Sequence, residues 1–105
     1  MLAVATIKIG EKLGDIVCKL PAGAQILTGS ALWMRRHVND SYEVTLDLLI
    51  DTDLPPTEER VIVVVEKPVD CGDIGKHGRL IFINKHIDQN SGHAYFFFER
   101  VNAEM

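Results

Sequence analysis

Tyr42-Glu43-Val44-Thr45-Leu46-Asp47-Leu48-Leu49-Ile50-Asp51 is the stretch that decides the fold. Successive side chains of an extended strand point to opposite faces. Read with that period of two, Tyr42, Val44, Leu46, Leu48 and Ile50 form an apolar face, and Glu43, Thr45, Asp47, Leu49 and Asp51 a wet one. Helical spacing would scatter both sets, so the segment predicts a strand with one side in a core.

The same period runs outward in both directions. Ala3 to Ile9 is rich in β-branched residues and stops at Gly10; Gly10 to Gly14 predicts a hairpin loop. Asp15 to Leu20 places Ile16, Cys18 and Leu20 on one face and ends at Pro21 and Gly23, which deny a ladder donor or favour turns. Gln25 to Val38 predicts either one long strand, bulged or bent near Gly29-Ser30, or a strand passing into a short helix over Ala31 to Arg36. Val38-Asn39-Asp40-Ser41 predicts a compact turn.

Downstream, Asp51 to Glu59 reads as a loop around Pro55-Pro56. Val61-Ile62-Val63-Val64-Val65 is apolar on both faces, which predicts a central strand covered on both sides. Pro68 to Gly78 is irregular. Leu80 to Ile87 and His93 to Val101 predict strands joined by a turn over Asp88 to Gly92. Seven or eight strands with turn-rich connectors make residues 1–105 a single all-β domain, a β-sandwich or partly closed barrel of about seven strands.

Composition narrows the function classes. An apolar fraction of 47% suits a globular domain rather than a disordered one. A net charge of −4 argues against direct nucleic-acid binding by phosphate neutralisation and against docking on anionic lipid. No apolar run approaches the roughly 20 residues that span a bilayer. The first residues lack a basic segment followed by an apolar one, so no signal peptide is expected and the cytoplasm is the expected location. Cys18 and Cys71 form no C-x-x-C pair and read as free thiols in a reducing compartment.

Few residue patterns suggest chemistry. Pairing across the 88–92 turn is expected to set Ile87 opposite His93 and His86 opposite Ala94, sending the two histidines to opposite faces, and no spacing supplies the ligands zinc needs. Gly75-Lys76 resembles the end of a P-loop, but Asp70 stands where its first glycine belongs and His77 replaces the magnesium-holding hydroxyl. The segment around Gly72, Gly75, Lys76 and His77 is therefore read as a strand connector, with a small-molecule or nucleotide site as its alternative. No serine has a nucleophile-elbow context, and nothing orients His77 toward Cys71. Neither enzymatic activity nor a cofactor is expected.

Carboxylates and aromatics offer more. Seven of the 15 acids lie between Asp40 and Glu59, with no lysine or arginine among them. Glu43, Asp47 and Asp51 share the wet face of one strand, with Asp53 just beyond. Such a row is either a solvated, aggregation-resistant edge or a docking surface for a basic partner, such as a protein groove that normally holds nucleic acid. Tyr95-Phe96-Phe97-Phe98 is apolar on both faces, so one face, with Tyr95 and Phe97 as candidate contacts, needs cover from another element or another chain, a second copy included.

Leu20-Pro21-Ala22-Gly23-Ala24-Gln25-Ile26-Leu27 resembles the L-P-x-G-A-x-I-L step of small β-rich proteins carried by phages and prophages, as do the run Val61 to Val65 and the close Phe96-Phe97-Phe98-Glu99. Two features of that family are missing. Glu66-Lys67-Pro68 stands where a G-T-G-like step is often found, and Ala94-Tyr95-Phe96 replaces a Trp-His-aromatic close. The resemblance implies a mobile-element origin and no enzyme activity. Small size, the acid row and a spare apolar surface permit the leading expectation, a phage-encoded interaction protein that inhibits a host defence complex in the host cytoplasm. A virion component (head decoration or connector subunit) and a small-molecule binder using the 72–78 loop are the alternatives.

Overall fold

The computed structural model describes residues 1–36, 39–66 and 79–101, with backbone alone at 35, 36, 39 and 40. The alternating stretch becomes β4 (Asn39–Asp51), with Val44, Leu46 and Leu48 fully buried and the residues between them half-buried. The partial cover on the wet face follows from position. β4 is the middle strand of a three-stranded antiparallel sheet, flanked by β1 (Leu2–Gly10) and β3 (Gln25–Arg36). The acids therefore lie on a central strand and not on a sheet edge.

The second sheet runs β2 (Gly14–Leu20), β5 (Glu58–Val65), β7 (Ala94–Val101) and β6 (Arg79–Ile87), all antiparallel. The molecule is thus all-β, an open two-sheet sandwich with no closed barrel and no helix among the described residues. β5 is an inner strand as its composition predicts, with Ile62, Val63 and Val64 buried on alternate faces. The helix considered for residues 31–36 does not form; β3 stays extended to Arg36.

Three local expectations are corrected. Gly10 to Gly14 is not a hairpin loop: β1 pairs with β4 and β2 with β5, so the connection crosses from one sheet to the other. Asn39, Asp40 and Ser41 belong to β4, opposite Arg36, Arg35 and Met34, instead of forming a turn, and Val38 lies outside the described residues. The irregularity expected at Gly29-Ser30 falls instead at Leu27, between the pairs Ile26–Leu48 and Thr28–Asp47. Gly29 matters for packing instead, because a Cβ there would overlap the Phe97 ring.

Another bulge, at Ile83, separates the pairs Phe82–Phe98 and Asn84–Phe97. An extra residue in one strand reverses which side chains face the core from that point on. Beyond it, Asn84, His86 and Asp88 point between the sheets, while Lys85 and Ile87 are exposed, as Phe82 is just before it. The inward polar row meets the free edge of β3. Gly29 N–H donates to Asn84 Oδ1 at 2.7 Å, and Asn84 Nδ2 donates back to Gly29 O at 2.9 Å. Ala31 N–H donates to His86 Nδ1 at 3.3 Å and Trp33 N–H to Asp88 Oδ2 at 3.0 Å. The constant separation of 55 residues means that β3 and β6 run in the same direction across the gap. Side chains here do for an edge strand what a neighbouring strand's backbone does elsewhere.

The other end of the interlayer space is tied by Arg60, whose guanidinium grips Glu99 through two nitrogens and donates to Ala24 O at 3.0 Å. Ala24 closes the Pro21 to Ala24 turn by donating to Pro21 O, with Gly23 at φ 75° as a left-handed turn requires. Between these ties lies one core of Leu20, Ala31, Val44, Leu46, Leu48, Ile62, Val64, Tyr95 and Phe97.

Gly29→Ala is expected to lower stability by about 1–3 kcal/mol, because the added methyl overlaps the Phe97 ring and a packed sheet yields little. In a domain of this size that is a fall in Tm of roughly 4–8 °C per kcal/mol. Thermal melts check it, and adding Phe97→Leu to the same chain should recover part of the loss. An unchanged Tm would mean that the sheets do not meet at Gly29.

Candidate functional site

The acid row keeps the geometry its alternation predicts. Glu43, Asp47 and Asp51 share the outward face of β4, with Thr45 and Leu49 between them. Four residues of extended strand separate neighbouring carboxylates by about 13 Å, beyond a physiological Debye length of about 8 Å. The row acts as a line of separate contact points rather than one concentrated field.

Each carboxylate also has local company. Thr6 Oγ1 donates to Asp47 at 2.5 Å from the neighbouring β1. Asp51 accepts from Asp53 N–H and from the Met1 ammonium, each at 3.0 Å, and both donors hold its carboxyl below the usual range. Asp53 takes the same ammonium at 2.9 Å while remaining largely exposed. Hydrogen bonds to the two carboxylates raise the pKa of that amine. Glu43 sits opposite Leu32 of β3, at the other end of the row. Two of the four predicted acids thus share one positive charge, which leaves Glu43 and Asp47 as the main source of uncompensated charge.

The aromatic expectation divides by face. Tyr95 and Phe97 are wholly buried in the core and do not form a docking surface. Burial pushes the Tyr95 phenol up to about 12, with Tyr42 against it edge-on at 5.9 Å between centroids. The outward residues are Phe96, Phe98 and Phe82: Phe82 is 57% exposed and meets Phe98 edge-on at 5.5 Å, and Lys85 lies over the Phe96 ring. Alternation alone cannot say which face of a doubly apolar strand looks inward.

The histidines also move. Ile87 pairs with Ala94 and His86 with Tyr95, one residue from the expected register, so His86 and His93 lean to the same side of the sheet. Their partners differ. His86 accepts from Ala31, while His93 Nδ1 lies 2.9 Å from Glu66 Oε1 and its ring is tilted against Trp33 and edge-on to Tyr95. No three metal-ligating side chains gather among the described residues. Gly72, Gly75, Lys76 and His77 of the proposed ligand loop, and Cys71, lie outside the described residues. Cys18 is free and half-buried; burial pushes its thiol up, outweighing the opposing pull of Arg60. Such a thiol is a poor nucleophile.

Asp88 is the residue that the turn reading missed. It is buried, with one oxygen accepting from Trp33 N–H and the other from Asn90 N–H at 3.0 Å. These amides, Trp33's first, hold its carboxyl below the ordinary range against the opposing effect of burial. Its backbone closes the turn as well, accepting from Gly92 N–H at 2.7 Å. The only sequence signal was an Asp at the mouth of a turn, which is common for turns alone.

No family model, curated protein or solved structure matches this chain. No helix among the described residues is long and apolar enough to cross a membrane.

Asp88→Asn should cost about 1–3 kcal/mol near neutral pH, since the amide can accept from only one of the two N–H groups it faces. Because the folded carboxyl is depressed below 3.8, its stabilisation is complete above that value and is lost as pH falls through the depressed one. Urea unfolding over a pH series should therefore show the wild-type advantage shrinking under acid. Parallel stability curves for the two proteins would contradict this role.

Proposed function

We propose that this chain is a non-catalytic protein-interaction domain that presents the outer face of β4 to a basic partner. The observation that carries the reading is the placement of Glu43, Asp47 and Asp51 on one outward face of an internal strand. A central strand is rigid and its carboxylates keep fixed spacing. The complementary partner surface is therefore extended, with cations about 13 Å apart, as along a groove built to follow a nucleic-acid backbone. This agrees with the resemblance to small phage-borne β-rich proteins and with inhibition of a host defence complex by occupying such a groove. The alternative of a particle subunit draws on the outward aromatics of β6 and β7, with Phe82 57% exposed.

An extended peptide with arginine at every fourth position is the probe. In an NMR titration at low salt, the amides of residues 43–51 should shift, and the shifts should fade as salt screens the exposed charges. Glu43→Lys with Asp47→Lys should weaken binding at least tenfold while leaving the far-UV circular dichroism unchanged. Equal binding by the reversed variant would remove the acid row from the function.

A further inference from the structure

The two sides of the sandwich are finished differently. On one side, Asn84 and His86 of β6 and Asp88 just beyond it occupy the outward amides of β3. On the other, β1 pairs with β4 alone among the described residues. Thr52 N–H donates to Met1 O at 2.8 Å. Backbone groups of successive residues in an antiparallel strand point to alternate sides. The odd-numbered residues of β1 therefore serve β4, and Leu2, Val4, Thr6 and Lys8 turn their N–H and C=O groups to the free edge.

Natural edge strands are usually blunted by a proline, a bulge or a charge. β1 has no proline, and its one bulge, at Ile9, and its one charged side chain, Lys8, both lie at its end, which leaves Leu2 to Ile7 without any of the three. Leu2 and Val4 are 69% and 66% exposed on the face they share with Leu49.

We infer that β1 is a docking strand whose occupant is β1 of a second copy of this chain. An antiparallel arrangement about a two-fold axis through Ala5 sets Val4 opposite Thr6 of the second copy and Leu2 opposite its Lys8. Every outward backbone group from Leu2 to Lys8 then gains a partner, and the two three-stranded sheets become one of six strands. The register also brings opposite charges to one face: Lys8 of the second copy, 3.0 Å from Glu11 within its own chain, comes to rest two strands from Asp51, which shares the Met1 ammonium with Asp53, at roughly 10 Å between backbones. The exposed Leu2 and Val4 gain cross-strand neighbours in the same step. This inference needs only the open edge and does not rest on the acid row's binding a partner.

Sedimentation velocity on the full chain over a concentration series tests it. The expected species has twice the 11.7 kDa of one chain. Val4→Pro removes an N–H that β4 does not use, and Val4→Lys leaves the backbone intact while placing a second cation on the joint. Both should return the protein to a monomer with an unchanged circular dichroism spectrum, whereas Val17→Lys on β2 should leave the dimer in place. A parent protein that is monomeric throughout would overturn the inference, as would a dimer that survives both Val4 variants. Loss of the dimer through Val17→Lys alone would assign the contact to β2 and equally overturn it. A monomeric parent that still binds the arginine peptide would sink this inference and leave the acid-face reading standing.

Discussion

Two side chains of β6 and that of Asp88, just beyond its end, substitute for a missing strand beside β3, and most of the architecture depends on that substitution. A buried backbone N–H without a partner costs about 1–3 kcal/mol. Three in a row would be a serious burden for a domain whose whole stability is of the order of 5–15 kcal/mol. Asn84, His86 and Asp88 remove that cost along one side of the sandwich. They can do so only because the bulge at Ile83 turns them inward and the bulge at Leu27 brings Gly29, Ala31 and Trp33 into step with them. Gly29 then completes the arrangement, since the two layers meet there closely enough to exclude a methyl group.

Much of this fold was legible because alternation is a strong signal where one face is apolar. The strand at Tyr42 to Asp51, the inward set Ile16, Cys18 and Leu20, and the doubly covered Ile62 to Val64 all lie as the pattern demands. The positions of the bulges were not legible. A bulge shifts the phase by one residue without requiring a particular side chain, and Leu27 and Ile83 look like ordinary strand residues. The consequence was largest in β6, where the phase shift at Ile83 turns Asn84, His86 and Asp88 inward. The β1–β2 connection failed for a related reason. A five-residue turn can reverse a chain within a sheet or carry it to the facing sheet, and alternation is the same in both cases.

The candidate site shows the same division between pattern and context. Parity placed Glu43, Asp47 and Asp51 on one face correctly. It could not show that the Met1 ammonium joins Asp51 and Asp53, or that Thr6 donates to Asp47. Nor could it decide between edge and centre, because the choice depends on which distant strand pairs with β4. That choice alters the meaning of the acids. On an edge they would discourage another strand from pairing; on a central strand they guard no open backbone, so an edge-protecting role no longer explains them.

Within this sheet, the edge that lacks such protection over Leu2 to Ile7 is β1. Its outward side chains include Leu2 and Val4, both highly exposed, and its free backbone groups run without interruption to Lys8. The contrast within one sheet is informative. β3 has its edge closed by an asparagine, a histidine and an aspartate placed by two bulges, whereas β1, at the same distance from β4, has nothing comparable among the described residues. If both edges were under the same pressure to avoid pairing, both would carry some means of doing so. The asymmetry is better explained by opposite requirements: one edge sealed so that the sandwich holds together, the other left able to accept a strand.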